Sequence, residues 1–240
     1  MSGEIRIGNS GFHYAHWKGD FYPADLPEHD WFDWYSRYFD TVEINNTFYR
    51  LPERSVFQQW RDQARDDFCY AVKFSRYGTH VKRLNSLEPI ERFVDRTVPL
   101  EDLIGPVLVQ LPPNWHVNAE RLEYFLAALP DRYRWAFEFR HESWLCDEVY
   151  ALLEKYGVAL CVHDMIENHP RRLTAGWTYL RFHGDHYSGS YSSQFLTALA
   201  RRLRDYADDG VDVYVYFNND AQGHAVRNAQ ALKRYLGNAS

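Results

Sequence analysis

The 240-residue chain has little cysteine, no long apolar run and no excess of positive charge. Its three cysteines, Cys69, Cys146 and Cys161, have neither CxxC nor zinc-ligand spacing. Cys69 and Cys161 fall in or beside apolar runs, so they read as reduced packing residues of a cytoplasmic protein. No stretch reaches the roughly 20 apolar residues of a membrane helix. The start, MSGEIRIGNSG, lacks the basic and apolar regions of a signal peptide. A net charge of −6 argues against a global attraction to nucleic acid or to an anionic membrane. Only a local basic patch would serve such a partner. No Gly-rich phosphate loop follows a strand, and no HExxH pair is present.

Aromatic residues are abundant, at 17% of the chain with 8 Trp, 18 Tyr and 15 Phe. They imply ring-rich packing, a ring-walled site, or both. The loop Phe12–Tyr22, with Tyr14 and Trp17, is a candidate wall for a planar or sugar ligand.

Period-2 alternation and apolar runs predict eight strands: Ile5–Ser10, Thr41–Tyr49, Phe68–Ser75, Pro106–Pro112, Trp135–His141, Val158–Asp164, Thr178–Gly184 and Val211–Asp220. Helical spacing is found after Asp30, over Arg54–Ala64, over Glu88–Ile104 with a break near Pro99, and from about Asn118 to Leu129. It recurs over Asp147–Tyr156, from about Gln194 to Tyr206, and from about Ala221 to Leu236. The connection Met165–Trp177 has no clear helix. Strands alternating with helices imply parallel strands and crossovers. Eight such units in one chain predict a single α/β domain over residues 1–240, a TIM-barrel-like (β/α)8 fold, irregular between strands 6 and 7. An open doubly wound sheet is the alternative. It would carry polar strand ends only near its switch point.

The polar residues cluster near the C-terminal strand ends, where a (β/α)8 barrel carries its site. In Trp135–His141, Glu138 and Arg140 share one face. The same alternation selects Glu43, Asn45, Lys73, Gln110, Arg181, His183 and Asn218. The sixth strand offers Asp164, with His163 in its place if the register differs by one. The acids Glu43, Glu138 and Asp164 balance the cations Lys73, Arg140 and Arg181, so a structural ion-pair network is one reading. The functional reading is acid–base chemistry by Glu43, Glu138, Asp164, His183 and Lys73 on a small polar, anionic substrate. Asn45, Gln110, Arg140, Arg181, Asn218, Tyr14 and Trp17 would bind that substrate. Lys82 and Arg83, in the loop after the third strand, are candidates for meeting a phosphate.

Three other readings stand beside this one. A divalent metal held by Glu43, Glu138, Asp164 and His183 would make a phosphoester hydrolase acting on nucleic acid, though the neighbouring cations oppose it. A Schiff base on Lys73 is another chemistry. A non-catalytic ligand- or nucleic-acid-binding protein is the third. No cofactor is identified and no membrane association is expected.

Several motifs occur in order: GNSGF with FYP (Gly8 to Pro23), TVEINNTFYRLP (Thr41 to Pro52), THVKRL (Thr79 to Leu84) and QLPP (Gln110 to Pro113). FEFRHESW (Phe137 to Trp144), RFHG followed by YSGSYS (Arg181 to Ser192), and VYVYFNND with GHAVRNA (Val213 to Ala229) complete the series. By these the chain resembles the YecE-like family, domain of unknown function 72, from about Ile7 to Leu232. Phe12 stands where the family usually has Trp, which keeps a ring and loses the indole donor. The resemblance implies a TIM-barrel-like fold and supplies no reaction.

Overall fold

The computed structural model describes residues 2–184 and 189–237. Tyr187 and Ser188, which begin the YSGSYS motif, lie outside the described residues.

The strands are β1 (Ile5–Asn9), β2 (Thr41–Ile44), β3 (Cys69–Lys73), β4 (Ile104–Gln110), β5 (Arg134–Glu138), β6 (Ala159–His163), β7 (Trp177–Phe182) and β8 (Asp212–Phe217). The helices are α1 (Trp31–Ser36), α2 (Asn46–Tyr49), α3 (Arg54–Gln63), α4 (Glu88–Thr97), α5 (Ala119–Leu126), α6 (Asp147–Lys155), α7 (Ser193–Asp208) and α8 (His224–Gly237). The sheet order is β1-β8-β7-β6-β5-β4-β3-β2, the order of a (β/α)8 protein. The fold class is therefore α/β and TIM-barrel-like, as the strand count implied. Among the described residues no helix lies between β6 and β7.

Two compact units divide the chain, Met1–Glu43 with Leu180–Ser240, and Ile44–Tyr179. In the first, β1 pairs in parallel with β8, from Ile5 opposite Val213 to Asn9 opposite Phe217. An isolated parallel bridge joins Ser10 to Glu43. Gly8 permits this approach, because a Cβ there would sit 2.3 Å from the Thr41 carbonyl oxygen. The buried Tyr35 hydroxyl on α1 accepts from the Asn9 amide (3.1 Å) and donates to the Thr41 carbonyl (3.0 Å), tying the helix to both strand segments. The aromatic loop packs here. Trp17, Tyr22, Trp31, Tyr35 and Phe39 are all buried, with Tyr22 stacked on Trp31 at 4.9 Å. The aromatic surplus thus serves the core, since each large ring removes much apolar area from water.

In the second unit β3, β4, β5 and β6 pair in parallel in sequence. Val107, Leu108 and Val109 are wholly buried, as expected of parallel strands covered on both faces. Phe74 fills the space between Phe93, Phe125 and Trp135.

Several expected boundaries move, and the fifth and eighth strands end at Glu138 and Phe217, short of the expected His141 and Asp220. The second strand stops at Ile44 instead of Tyr49, and Asn46–Tyr49 winds into the helical turn α2. Thr47 causes the change. Its hydroxyl bonds the Ile44 carbonyl (3.1 Å) and the Lys73 carbonyl (2.7 Å), offering the backbone an alternative to the ladder. The last helix begins at His224, because Gln222 (φ 58°) and Gly223 (φ 70°) adopt left-handed conformations before it.

Gly8→Ala is expected to destabilise the protein by about 1–3 kcal/mol, the usual range for overpacking a tight site. Urea unfolding measures it. A midpoint equal to that of the parent chain would contradict the close approach at Thr41.

Candidate functional site

Each unit carries its own cluster of charged side chains at strand ends. In Met1–Glu43 with Leu180–Ser240, the centre is Glu43, which has no access to water. Its Oε1 accepts from the Ser10 hydroxyl (2.6 Å) and from Arg181 Nη2 (2.8 Å). Arg181 is 1% exposed, so both charges of this pair are desolvated. Such a pair holds only while both partners remain. Arg181 Nη1 lies 3.2 Å from His183 Nε2. A guanidinium has no acceptor, so Nε2 must accept, which makes His183 the neutral Nδ1–H tautomer.

Tyr14 leans over this group and donates to the Ser10 carbonyl (2.6 Å). Burial and then the charges of Asp220 and Glu43 push its phenol far above the ordinary range, so it stays a donor. Asp220 accepts from the Trp17 indole (2.8 Å) and pairs with His16 Nε2 (2.8 Å). Burial raises its carboxyl above the usual carboxylate value. The Nδ2 of Asn9 is buried with no hydrogen-bond partner among the described residues.

In Ile44–Tyr179 the acid is Glu138, the last residue of β5 and fully buried. It is bound by the Arg140 guanidinium. Gln110 stands opposite Glu138 in the β4–β5 register and is half-buried, like Asn45 just past β2. Lys73 ends β3 almost fully buried, with its ammonium 4.4 Å from the Phe48 ring centre, a cation–π distance.

After β3 the chain winds into a π-helical turn, Tyr77–Val81, and then places Arg83 (φ 47°) and Leu84 (φ 62°) in succession in the left-handed region. Two such non-glycine residues store strain of order 1–3 kcal/mol each, a pattern found at functional sites. The turn sets His80 edge-on to Phe48 at 5.1 Å. The Thr79 hydroxyl donates to the Ser75 carbonyl (3.1 Å), so toward His80 Nδ1 (2.9 Å) it can only accept. His80 is therefore the Nδ1–H tautomer, and its Nε2 lone pair is the basic one. Burial first, then the positive charges of Arg76, Lys73, Arg140 and Arg83, lower its pKa to about 4. Four cations thus bear on one neutral imidazole.

The sixth strand takes the alternative register. His163 is 3% exposed and Asp164 is exposed, so Asp164 does not occupy the buried position expected of it. His163 Nε2–H donates to the Phe139 carbonyl (2.8 Å), and its Nδ1 accepts from the Met165 amide (3.2 Å). A neutral ring satisfies both bonds, and burial lowers the His163 pKa to about 4. Trp17 is also displaced from its expected role. Its indole is wholly buried and supports the loop, leaving no face for a ligand. Asn218 is half-buried, while the adjacent Asn219 is buried and donates to Gly189 and Asn228. Lys82 is exposed and Arg83 half-buried. Among the described residues no three or more His, Cys, Asp or Glu side chains are grouped to hold a metal ion. Among the described residues none of the three cysteines forms a disulfide.

Sequence reasoning missed His80, Asn9 and Asp220. THVKRL held a signal for His80, an ionisable residue two positions before two basic ones. Nothing in the alternation pattern placed the loop that carries it.

The fold and the buried ion pairs define an α/β (β/α)8 protein with ionisable groups concentrated at its strand ends. The chain belongs to the family Protein of unknown function DUF72, whose model matches residues 6–240. It is 35% identical over 109 residues to the UPF0759 protein YecE of Escherichia coli (strain K12), a match taking in 45% of this chain and 40% of that protein. The UPF0759 protein YunF of Bacillus subtilis (strain 168) is 23% identical, covering 84% of this chain and 85% of that protein. The crystal structure of a DUF72 family protein (TM1631) from Thermotoga maritima is similar with a TM-score of 0.86 and 28% identity. That match covers 98% of this chain and 99% of the other.

Arg181→Met removes the cation 2.8 Å from the buried Glu43 and is expected to lower stability by about 3–5 kcal/mol. Adding Glu43→Gln should recover much of the loss in urea unfolding. A double variant as unstable as the sum of the single ones would remove the coupling.

A second expectation concerns pH. The folded state holds His163 neutral to about pH 4, whereas an unfolded histidine titrates near 6.5. The unfolded chain therefore binds more protons between these values, and stability is lost as pH falls from 6.5 towards 4. His163→Gln should flatten that slope, while an unchanged slope would count against the buried neutral ring.

Proposed function

We propose that this protein is an enzyme performing acid–base chemistry on a small polar, anionic substrate. The observation that carries the reading is the convergence of Lys73, Arg76, Arg83 and Arg140 on the neutral His80. Glu138 is already bound to Arg140. An anionic group entering this cluster would meet cations already held in place.

His80 is the proposed base, with the lone pair on Nε2. Its basicity depends on the ligand. A bound anion offsets the field of the four cations, so the imidazole becomes easier to protonate when substrate is present. In the proposal Arg140 and Lys73 hold the anion, and Glu138 keeps the Arg140 guanidinium in place. In the other unit Glu43 and His183 remain proton-transfer candidates, oriented by Arg181, with Tyr14 as a neutral hydrogen-bond donor. Cytoplasmic location belongs to the same reading, and cysteines that form no disulfide among the described residues support it. Among the described residues no helix is long and apolar enough to cross a membrane.

The test is calorimetric titration with inorganic phosphate and with malonate, together with NMR of the His80 ring. Binding should weaken about tenfold or more, ~1.4 kcal/mol, in Arg140→Gln. The His80 pKa should rise from about 4 when the anion binds. Screening small phosphate esters and hydroxy acids for turnover, with His80→Gln as control, separates a catalyst from a binding protein. Absence of anion binding at low salt, or a His80 pKa indifferent to the anion, would sink the proposal.

A further inference from the structure

Within Ile44–Tyr179 a second feature lies outside the His80 cluster. A cavity of about 330 Å³ is lined by Tyr49, Arg50, Ser75 and Tyr77, together with the ion-paired side chains of α4 and the segment before α3. This volume is at the lower end of the range for small-molecule sites.

Two of its walls are tyrosine rings left in water. Tyr49 is 78% exposed and Tyr77 43% exposed. The turn α2 explains the first. Thr47 and Phe48 take the buried positions of that turn, which leaves the next residue outside. Tyr77 opens the π-helical turn and is held by its amide, which donates to Ser75 Oγ (3.1 Å). Ser75 accepts in that bond, so its hydroxyl proton remains to be given to another acceptor. The Lys82 ammonium lies 5.3 Å from the Tyr77 ring centre and adds positive charge beside it.

The charges of the lining are unequal in availability. Arg92 is paired with Glu88, and Arg96 with Glu53. Arg50 is exposed and has no ion-pair partner among the described residues. The cavity thus combines two accessible rings, one uncommitted guanidinium and one hydroxyl donor. Rings stack on planar groups, and a guanidinium together with a hydroxyl binds a carboxylate or a phosphate.

We infer that this cavity is a binding site for a planar aromatic or heteroaromatic ring bearing an anionic group. The cavity lining shares no residue with the proposed anion cluster around His80, and the inference does not rest on that proposal.

Ligand-observed NMR and calorimetry with benzoate, cyclohexanecarboxylate and adenosine 5′-monophosphate test the inference. Benzoate or the nucleotide should bind, and whichever binds distinguishes a carboxylate from a phosphate source. Affinity should fall about fivefold or more in Tyr49→Ala and in Arg50→Gln, the effect expected of losing a stacking or charged contact. Tyr49→Phe should keep it, and so should Arg140→Gln under conditions where circular dichroism shows it folded, because that substitution strips the buried Glu138 of its cation. Cyclohexanecarboxylate, with the same charge and no aromatic face, should bind more weakly than benzoate. Both substituted side chains are exposed, so circular dichroism should show an unchanged fold. Equal binding of the ring and the saturated acid, or unchanged affinity in Tyr49→Ala, overturns the site. Loss confined to Arg140→Gln would move the ligand to the His80 cluster and also overturn it. Failure of both aromatic probes to bind rejects this ligand class.

Discussion

A carboxylate shut away from water has to be neutralised where it stands, and that requirement organises both units of this protein. Glu43 meets it with Arg181 at 2.8 Å and with the Ser10 hydroxyl. Glu138 meets it with Arg140, two residues along its own chain. The first solution is long-range, because Arg181 lies 138 residues from Glu43 in sequence. It joins the ends of β1, β2 and β7 through one oxygen. Removing either charge leaves the other stranded in a poorly solvating interior, which is why such pairs specify an arrangement more than they stabilise it.

The two solutions leave different surroundings. Around Glu43 the additional groups are neutral or acidic, namely Tyr14, His183 and Asp220. Around Glu138 the additional groups are cationic, and one arginine already satisfies the acid. Burial first, and then this positive charge, keep His80 neutral well below physiological pH. A chain with net charge −6 can therefore hold a local basic cluster, because the charge that matters to a small ligand lies within about one Debye length.

The loop that carries His80 shows how a polar segment becomes rigid. Tyr77–Val81 winds as a π turn, and Arg83 and Leu84 follow in the left-handed region. Leu84 is fully buried, so packing holds a backbone conformation that a free chain would avoid. One side of this turn bears the imidazole that senses four cations. Its first residue, Tyr77, lines a cavity with different chemistry.

Much of this was legible in the sequence. The strand–helix alternation determined a (β/α)8 fold, and period 2 within strands brought Glu43, Glu138, Arg181 and His183 into buried positions. Both patterns are local consequences of backbone geometry, so local sequence carries them. The tertiary structure decided the rest. His163 rather than Asp164 is buried, because a one-residue difference in register exchanges the faces and nothing inside VALCVHD resolves it. Trp17 became core instead of a ligand wall because α1 and the loop around Tyr22 close over it. Thr47 ended the second strand early by bonding a carbonyl on β3, a partner 26 residues away. The protonation of His80 depends on charges spread from Lys73 to Arg140. Alternation is a property of neighbours in sequence, whereas desolvation and electrostatic fields are properties of neighbours in space. WAFEFRH announced a charged strand end by itself, and only the folded chain determined that Glu138 is bound to Arg140 while Lys73, Arg76 and Arg83 bear on His80 beside them.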